Sequence, residues 1–573
     1  MSFPSLLVRR YLAGIDTHHN TYIASPDLDK EISFKMPASA TDDMYERSVG
    51  IKYLYGTAGF RMNASLMPPV VYRVSMLAAA LSSSKYGGQA MGIMLTASHN
   101  PVADNGVKLV GPDGGMLSME FEKVAEALAH TPSHDLETKL REVFGEFDGA
   151  KGKVIVGRDT RPSGEQLLTA VQTGVKVFGA TLLDIGLVST PELHLATYKL
   201  NSNYKSKEDF FTPAALEISF ISSLAAGFLD VVEKDVTIAH AKRRIIVDCA
   251  NGIGAQKITL LKEHLAQCGY ELVPINCGDG TLNDKCGADY VKSNSLPPCT
   301  INSVERTPWG HYASLDGDAD RLLYFTFDES AKFFLIDGDR ISALCAMTLC
   351  RLSQEAKDII GSVRLGVVQT AYANGASTDF IRGLGVELVC TSTGVKYLHE
   401  AAHHFDIGIY FEANGHGTIL FDEKVIKLAI EHCKAAKDTN MAVQNIVALY
   451  KLANQLVGDG VADLLLVEVM LQISGMGMKE WLNLYRERPS CLIKVPVNDR
   501  TKLVTFDADR RIVEPAPLQT AIDSLVAQVS DGRAFARASG TEDVIRIYAE
   551  ADSSEDASYL ARQIAELLPR MLR

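Results

Sequence analysis

Gly92-Ile-Met-Leu-Thr-Ala-Ser-His-Asn100 is a short apolar run that ends in a polar turn. The same pattern recurs at Lys153-Val-Ile-Val-Gly-Arg-Asp159, Arg244-Ile-Ile-Val-Asp-Cys-Ala-Asn-Gly252 and Arg364-Leu-Gly-Val-Val-Gln-Thr370. Amphipathic stretches separate these runs, and such alternation predicts βαβ units in mostly parallel sheets. Because the runs lie far apart in a chain of 573 residues, we expect the unit to be reused in successive domains.

The C-terminal part shows a different pattern. Val544-Ile-Arg-Ile-Tyr-Ala-Glu550 alternates apolar and polar residues as a half-exposed strand does. Ser553 then offers an N-cap, with Asp556 three residues later. Apolar residues follow at helical spacing, at Ala557, Leu560, Ala561, Ile564 and Leu568. These patterns predict a smaller α+β domain at this end.

The composition is that of a globular chain with an acidic balance. Hydrophobic residues make up 47% and charged residues 22%, and the formal net charge is −13. Binders of nucleic acid or anionic membranes need a basic face, so neither partner is expected. A small anionic substrate is compatible with this balance, because arginines and lysines can cluster locally. No obligatory protein partner is predicted.

The cysteines indicate a reducing compartment. All ten are scattered without a C-x-x-C pair, which argues against a disulfide scaffold or a structural zinc site and favours a cytoplasmic location. No continuous apolar run of transmembrane length is evident, so no membrane span is expected. Residues 1–10 lack the long apolar stretch of a secretory signal. They contain two arginines, so a mitochondrial presequence is the less favoured alternative to a cytoplasmic location.

Thr96-Ala-Ser-His-Asn-Pro101 follows the first apolar run. Ser98 is either part of a plain strand-ending turn or a reactive serine. A serine hydrolase is disfavoured because the chain has no G-x-S-x-G elbow here and His99 adjoins the serine in sequence. Lys108 follows in Asp104-Asn-Gly-Val-Lys108. A serine that carries a phosphoryl group needs such a nearby cation.

Asp316-Gly-Asp-Ala-Asp-Arg321 places three carboxylates at alternate positions of an extended segment. Side chains two residues apart project to one side, so these carboxylates can converge on one hard cation. An EF-hand would need Gly and Glu where the chain has Arg321 and Phe327. The sequence therefore predicts a metal site, with a solvated acidic turn as the alternative. Asp337-Gly-Asp339 has only two acids and is predicted to be a plain turn.

Two later turns have the residues of a ligand site. Phe411-Glu-Ala-Asn-Gly-His-Gly417 offers Glu412 and Asn414 for sugar hydroxyls, and its glycines permit close backbone approach. Arg537-Ala-Ser-Gly-Thr541, followed by Arg546, has the hydroxyls and guanidiniums of a phosphate clamp. His416 is either a proton-transfer residue or a packed turn histidine.

Taken in chain order, these segments resemble the α-D-phosphohexomutase family. The resemblance is carried by Tyr55-Gly-Thr-Ala-Gly-Phe-Arg61, Thr96-Ala-Ser-His-Asn-Pro101, Asp104-Asn-Gly-Val-Lys108, Asp316-Gly-Asp-Ala-Asp-Arg321, Thr393-Gly-Val-Lys396, Glu412-Ala-Asn-Gly-His416 and Arg537-Ala-Ser-Gly-Thr541. Each motif is only moderately specific, but together they span nearly the whole chain. The resemblance implies three related α/β domains and a smaller α+β C-terminal domain around a central cleft. The domains are expected at 1–200 with the phosphoserine loop, 201–325 with the metal loop, 326–456 with the sugar-binding loop, and 457–573 as the phosphate-binding domain.

The resemblance also implies roles for the site residues. Ser98 is expected to be phosphorylated, and its phosphate to contact Mg²⁺ held by Asp316, Asp318 and Asp320. Proton transfer and charge stabilisation are expected from Arg61, His99, Lys108 and His416. The expected contacts to the sugar and its non-reacting phosphate are Arg321, Thr393, Gly394, Glu412, Ala413, Asn414, Arg537, Ala538, Ser539, Gly540, Thr541 and Arg546. A hexose 1,6-bisphosphate is expected as the priming phosphoryl donor.

The sugar loop departs from the glucose and mannose branches of the family. Those branches usually carry Ser in place of Asn414 and Gly in place of Phe411, whereas Glu-Ala-Asn-Gly-His is typical of the N-acetylglucosamine branch. The Asn414 amide is thus a hypothetical contact for an N-acetyl group. The resemblance implies interconversion of N-acetylglucosamine 6-phosphate and 1-phosphate through a 1,6-bisphosphate, serving UDP-N-acetylglucosamine biosynthesis. A phosphoglucomutase or phosphomannomutase, or a catalytically silent sugar-phosphate-binding paralogue, remains the alternative.

Overall fold

The apolar runs form interior strands of three separate sheets. The sequence predicts mostly parallel sheets, whereas these sheets mix parallel and antiparallel pairs because each contains an antiparallel hairpin. The computed structural model describes residues 44–56, 59–202, 213–232, 243–435, 440–539 and 543–572. Within them, Met91–Leu95 and Lys153–Arg158 pair in the first sheet, Arg243–Asp248 lies in the second and Leu365–Thr370 in the third. Every side chain of Met91–Leu95 and Leu365–Thr370 is buried, as is typical of strands covered on both faces.

The first sheet has the order β1-β3-β2-β4-β5, in which β2, β4 and β5 are parallel and β1 and β3 antiparallel to their neighbours. Its strands are β1 Phe60–Asn63, β2 Met91–Leu95, β3 Asp104–Val110, β4 Lys153–Arg158 and β5 Thr181–Leu187. Its helices are α1 Pro68–Ala80, α2 Met119–Ala129, α3 Leu136–Phe144, α4 Gly164–Lys176 and α5 Thr190–Asn201.

The second sheet has the order β10-β9-β8-β6-β7, and β6 is parallel to both β7 and β8. Its strands are β6 Arg243–Asp248, β7 Tyr270–Ile275, β8 His311–Leu315, β9 Leu322–Phe327 and β10 Phe333–Ile336. The helices of this part are α6 Pro213–Val232, α7 Gly254–Ala266 and α8 Ala288–Asn294.

The third sheet has the order β12-β11-β13-β14, with β11 parallel to β12 and β13. Its strands are β11 Leu365–Thr370, β12 Glu387–Thr391, β13 Ile407–Phe411 and β14 Gly417–Phe421. The helices are α9 Gly338–Glu355, α10 Lys357–Ile360, α11 Gly375–Gly383, α12 Val395–Ala402, α13 Glu423–Ala435, α14 Met441–Leu452, α15 Gly460–Ser474 and α16 Met478–Leu482.

The C-terminal part is an antiparallel α+β domain, which confirms the sequence prediction for this end. Three strands pair in the order β15-β19-β18, and β16 and β17 form a separate hairpin. The elements are β15 Ser490–Pro496, β16 Val504–Phe506, β17 Arg511–Glu514, α17 Ala516–Val526, β18 Arg533–Ala538, β19 Val544–Glu550 and α18 Ser554–Met571. Ser553 caps α18 by accepting the N–H of Asp556 at 3.0 Å, as predicted.

The three α/β parts share one device at their functional turns. In each, a strand with a parallel neighbour runs into a polar turn and returns as an antiparallel strand: β2 to β3, β8 to β9, and β13 to β14. These hairpins contain the serine turn, the aspartate turn and the Glu412–His416 turn, respectively. The repetition is the structural counterpart of the three related domains that the sequence predicts.

One apolar core extends from the second sheet into the third. Val247, Leu315, Val367, Ile409 and Leu466 are all fully buried members of it. The first α/β part and the C-terminal part each have a main core of their own. The second and third domains therefore form a continuous base for the turns that they present.

Sheet pairing indicates different limits for the third domain. A boundary at 325–326 would divide β9, which pairs with both β8 and β10. A boundary at 456–457 would separate α15 from α9 and α14, against which it packs. We propose that the third domain begins at Asp337 and extends through α15, because hydrogen-bonded strands and a shared core hold those elements together.

Two further features, helix α6 and Asp337, bear on the sequence predictions. Helix α6 contains an 18-residue segment, Ala215–Val232, with a mean hydropathy of 1.7, and so has the length and composition of a membrane span. Half of that segment is buried in the protein, where Phe220 and Phe228 join the shared core. Asp337 is not part of a plain turn: it is buried and caps α9 by accepting the N–H of Asp339.

Candidate active site

The serine turn joins β2 to β3 and holds Ser98 in a buried, left-handed backbone conformation. Ser98 has a φ of 52° and is 1% exposed. Its hydroxyl donates a 2.6 Å hydrogen bond to Oδ2 of Asp316, which lies 218 positions later in the chain. His99 Nδ1 lies 3.5 Å from the same hydroxyl oxygen. The structure thus brings the predicted serine to the predicted metal loop.

A buried arginine that the sequence patterns did not reveal holds the backbone around Ser98. Arg161 is 3% exposed, and its guanidinium donates hydrogen bonds to four carbonyl groups. These belong to Pro101 at 2.6 Å and to Ser98, Asn100 and Asp104 at 2.8 Å each. Arg161 follows β4, the parallel neighbour of β2. Because such strands end at the same edge of a sheet, its position after the strand was the signal that could have identified it.

Thr96, Asp159 and Asn283 add to this support. Thr96 Oγ1 accepts the N–H of Ser98 at 2.8 Å and donates to Asp159 Oδ2 at 2.7 Å. Burial raises the pKa of Asp159 to about 6 in spite of the adjacent Arg161. Asn283, from the second domain, donates to the carbonyl of Ser98 at 2.9 Å. Residues of two domains therefore fix the conformation of the serine turn.

The aspartate turn between β8 and β9 is a buried cluster of carboxylates. One oxygen from each of Asp316, Asp318 and Asp320 lies within 4.8 Å of the others. Burial and the charges of its two neighbours raise the pKa of Asp316 well above its ordinary value. Asp318 Oδ1 is buried and has no hydrogen-bond partner among the described residues. Convergent oxygens with an unsatisfied atom fit a hard cation such as Mg²⁺.

Lys108 reaches the same cluster from β3. Its ammonium nitrogen is 3.1 Å from Asp318 Oδ2 and 3.0 Å from Asp320 Oδ2. Burial opposes the charged form, but the two carboxylates outweigh it and raise the pKa of Lys108. Thr190, at the start of α5, donates to Asp318 Oδ2 at 2.6 Å. Lys108 is therefore protonated beside Ser98 at neutral pH.

Two arginines line the cleft that contains Ser98 and Lys108. Arg61 comes from β1 and Arg321 from the end of the aspartate turn. Burial and the charges of Arg321 and Arg61 lower the pKa of His99 well below its ordinary value, so its imidazole is neutral at pH 7. Arg61 Nη1 is buried without a hydrogen-bond partner in the described structure. A guanidinium with an unused donor suits an anionic ligand.

The Glu412–His416 turn brings a histidine to the carboxylate cluster. His416 is 6% exposed, and its Nδ1 lies 3.2 Å from Asp320 Oδ1. Burial opposes ionisation of Asp320, but Lys108 and His416 hold its pKa well below its ordinary value. Asn414 Oδ1 accepts the N–H of His416 at 3.0 Å, and its Nδ2 donates to Glu412 Oε2 at 3.2 Å. The Asn414 side chain thus orders the turn, a role that its sequence position did not predict.

The predicted clamp lies at the β18–β19 hairpin. Arg537 and Arg546 are opposite one another in the register, as are Ala538 and Ile545. The N–H of Ser539 donates to the Val544 carbonyl at 2.9 Å. Gly540 and Thr541 lie outside the described residues, as do Thr57 and Ala58 of the first glycine-rich motif.

Thr393 and Gly394 precede α12, and Gly394 has a φ of 137°, which favours glycine. The N–H of Thr393 donates to Asp509 Oδ2 at 3.0 Å, and the same oxygen lies 3.5 Å from Arg537 Nε. This contact joins the third domain to the C-terminal domain. It also brings two predicted substrate contacts to a single carboxylate.

Contacts therefore gather the predicted residues into two groups. The first group is Ser98, His99, Lys108, Asp316, Asp318, Asp320, Arg321 and His416. Glu412 and Arg61 line the cleft at this group. Thr393 and Arg537 form the second group, at Asp509. Among the described residues, no hydrogen bond or ion pair joins the two groups directly.

Family models match three parts of the chain. Residues 69–136 and 133–206 match phosphoglucomutase/phosphomannomutase, alpha/beta/alpha domain I, and residues 492–567 match its C-terminal domain. Residues 337–476 match phosphoacetylglucosamine mutase AMG1, domain III. That third match has nearly the limits that sheet pairing indicates for the third domain.

Similar proteins cover almost the full chain. Phosphoacetylglucosamine mutase of Oryza sativa subsp. japonica is 42% identical over 549 residues, which is 91% of this chain and 95% of the relative. This chain belongs to the phosphoacetylglucosamine mutase family. The Homo sapiens member is 41% identical over 535 residues, 91% of this chain and 95% of its own.

A solved structure from the phosphoacetylglucosamine mutase family agrees with the fold. Aspergillus fumigatus N-acetylphosphoglucosamine mutase, in complex with GlcNAc-6P and magnesium, is 40% identical and has a TM-score of 0.85. The alignment covers 94% of this chain and 100% of that chain. The predicted phosphohexomutase architecture is confirmed, and the chain is an enzyme of the isomerase class that transfers a phosphoryl group within its substrate.

Proposed function

We propose that this chain interconverts N-acetylglucosamine 6-phosphate and N-acetylglucosamine 1-phosphate through a phosphorylated Ser98. The observation that carries the proposal is the 2.6 Å hydrogen bond from Ser98 to Asp316 within the buried carboxylate cluster. Lys108, protonated at the same cluster, supplies the cation that a transferring phosphoryl group requires. A silent sugar-phosphate-binding paralogue would not need these groups in contact.

The proposed reaction has two phosphoryl transfers. In the first, the bond from Ser98 Oγ to phosphorus breaks, a bond forms to the free sugar hydroxyl, and that hydroxyl loses its proton. The resulting 1,6-bisphosphate turns over in the cleft and returns its other phosphoryl group to Ser98. Lys108 and Arg61 stabilise the charge. His99, whose imidazole is neutral, and His416 are the proposed groups for the proton. A hexose 1,6-bisphosphate primes an unphosphorylated Ser98.

The metal ligands follow from the same geometry. Asp316, Asp318 and Asp320, with a phosphate oxygen carried by Ser98, are the proposed holders of Mg²⁺. When bound, this ion offsets negative charge on the transferring phosphoryl group. Without it, the buried carboxylates depend on Lys108 and nearby donors alone.

The remaining contacts are proposed for the rest of the substrate. Arg321 and Glu412 line the cleft, and they are proposed with Ala413 and Asn414 as sugar contacts. Thr393 and Gly394, which lie next to the C-terminal domain, are proposed as further contacts. Arg537, Ala538, Ser539, Gly540, Thr541 and Arg546 are proposed to form the clamp for the non-reacting phosphate. The cross-strand pairing of Arg537 with Arg546 supports this assignment, because it places two arginines on one face of the sheet, and guanidiniums suit bidentate phosphate binding.

Replacement of Ser98 by alanine tests the mechanism. Mutase turnover is expected to fall at least roughly a thousandfold with an unchanged melting temperature. After incubation with glucose 1,6-bisphosphate, intact-mass measurement is expected to show one added phosphoryl group on the wild type and none on Ser98→Ala. Ser83→Ala is the control, since that hydroxyl donates only to the helix carbonyls of Ala79 and Ala80. Turnover of Ser98→Ala at the wild-type rate would refute the mechanism.

A substrate panel tests the sugar. N-acetylglucosamine, glucose and mannose phosphates are compared by kcat/KM with the same priming donor. The N-acetylated substrate is expected to be preferred, and equal or better use of glucose phosphate would replace this assignment with a phosphoglucomutase. We also propose a cytoplasmic location, which the ten free cysteines support. Fractionation of cells that express a tagged chain would check it.

A further inference from the structure

The hairpin β16–β17 ends in a turn of three left-handed residues. Asp507, Ala508 and Asp509 have φ values of 52°, 56° and 66°. Such values are uncommon for residues other than glycine, and a run of three of them turns the chain sharply. The turn directs the two aspartates differently: Asp509 contacts the third domain, whereas Asp507 pairs with Arg510 in its own hairpin.

The Asp509 carboxylate binds the two donors proposed for the substrate. Its Oδ2 accepts the N–H of Thr393 at 3.0 Å and lies 3.5 Å from Arg537 Nε. Its Oδ1 accepts the hydroxyl of Thr505 at 3.0 Å, which orients the carboxylate from behind. The side chains of Arg537 and Asp509 are only 13% and 16% exposed. Proteins bind a phosphate oxygen in the same way, with a backbone N–H and a guanidinium that contact one anionic oxygen.

We infer that Asp509 is a resident anion of the phosphate clamp, which the non-reacting phosphate of the substrate must displace. The inference rests on the clamp assigned under the proposed function. A carboxylate and a phosphate bound to the same two donors would lie in contact and repel each other, so both cannot use Arg537 and Thr393 at once. Asp509 therefore competes with the substrate, and it holds the C-terminal domain against Thr393 when the clamp contains no phosphate.

The competition has a direct consequence for affinity. Each substrate molecule that binds must first break the contacts of Asp509 with Thr393 and Arg537, which lowers the observed affinity. Removing the charge of Asp509 weakens only the competitor. Phosphate esters, and inorganic phosphate itself, should then bind more tightly, although the clamp has gained no new contact.

Asp509→Asn is the test, with Asp507→Asn as its matched control. Both sites have positive φ, and asparagine adopts that conformation readily, so neither change strains the hairpin. The full chain is used with Ser98→Ala in every variant, so that the ligand stays chemically unchanged. Dissociation constants for N-acetylglucosamine 6-phosphate and inorganic phosphate are measured by calorimetry. Asp509→Asn is expected to lower both dissociation constants by about two- to tenfold. Asp507→Asn is expected to leave both dissociation constants unchanged within experimental error.

A double-mutant cycle separates this inference from the clamp itself. Arg537→Ala is expected to weaken binding of both ligands at least about tenfold and to abolish the gain from Asp509→Asn. If Arg537→Ala binds as tightly as its parent, the clamp is wrong and the inference falls with it. If Arg537→Ala weakens binding but Asp509→Asn does not tighten it, the inference alone is overturned. An equal gain in the Arg537→Ala background would also overturn it, because Asp509 would then act elsewhere.

Discussion

A single guanidinium, that of Arg161, fixes the backbone on which the proposed nucleophile lies. Its five N–H groups are arranged in a planar fork, and the turn presents four carbonyl oxygens at hydrogen-bond distance. The adjacent Asp159 neutralises its charge at 3.1 Å. Ser98 keeps its left-handed conformation because these bonds, and that of Asn283, determine the turn from several directions.

Arg161→Lys is therefore expected to impair catalysis without removing a reacting group. Lysine keeps the charge but cannot reach four carbonyls at once, and buried carbonyls without donors are unfavourable. The free energy of unfolding should fall by about 1–3 kcal/mol, and kcat by roughly ten- to a hundredfold because Ser98 is less well positioned. Chemical denaturation and steady-state kinetics measure the two effects.

Arg158→Lys is the matched control for that change. Arg158 is the last residue of the same strand, and its guanidinium forms ion pairs with the exposed carboxylates of Glu165 and Asp184. Its replacement should change stability by no more than about 0.5 kcal/mol. A kcat for Arg161→Lys equal to that of this control would show that the four hydrogen bonds do not position Ser98.

At the scale of elements, predictability followed the strength of the periodic pattern. Strands β2, β4, β6 and β11 and the cap of α18 were predicted correctly, because each is a short apolar run or a capped amphipathic helix with its own local signal. Helix α15 has no such signal: thirteen of its positions, Gly460–Gln472, are all buried, so it lacks the polar face on which a sequence prediction depends. The boundary predicted at 456–457 rests on local sequence, which does not contain the packing of this helix against α9 and α14.

Helix α15 also contains a buried acid with a testable pH dependence. Burial and the neighbouring Asp459 raise the pKa of Asp463 well above its ordinary value. The folded chain therefore holds this proton more tightly than the unfolded chain does. The stability contributed by Asp463 is fully present below about pH 4, the ordinary carboxyl pKa, and is lost as the pH rises towards the raised value.

Asp463→Asn removes that titration. Relative to the wild type, its free energy of unfolding is expected to increase between pH 4 and pH 8, by about 1.4 kcal/mol for each unit by which the pKa is raised. Urea denaturation at several pH values measures the difference. Glu355→Gln, at the exposed end of α9, is the control and should show no such trend. A difference that stays constant with pH would contradict the assignment of this carboxyl.

For the whole molecule, the sequence predicts the chemistry of each motif but not the contacts between motifs that lie far apart in the chain. The carboxylate triplet and the serine turn are short motifs that can each be recognised from the local sequence alone. Their contact joins residues 218 positions apart, and that of Lys108 with Asp318 spans 210. Only the common position of each turn in its sheet brings them together, and no local pattern contains that information. Asp509 was missed for the same reason, because its partners belong to another domain.

The carboxylate cluster should couple metal binding to the stability of the assembled domains. Ser98 and Lys108 from the first domain, the aspartates from the second and His416 from the third all meet there. A cation bound by the folded chain alone stabilises it by mass action, about 2.7 kcal/mol at a free concentration 100 times its dissociation constant. Mg²⁺ should therefore raise the melting temperature, and EDTA should reverse the rise and abolish turnover.

Asp318→Asn separates this effect from a general response to salt. The asparagine keeps the size of the side chain but removes its charge. Lys108 and Thr190 donate at Oδ2, so the amide oxygen stays there and the amide nitrogen replaces the unpartnered Oδ1. The melting temperature should therefore respond little to Mg²⁺. Asp279→Asn, an exposed acid in the same domain, should respond as the wild type does. Differential scanning calorimetry with and without Mg²⁺ measures all three chains. An equal rise in Asp318→Asn would mean that the ion binds elsewhere, and the metal assignment of the aspartate turn would be wrong.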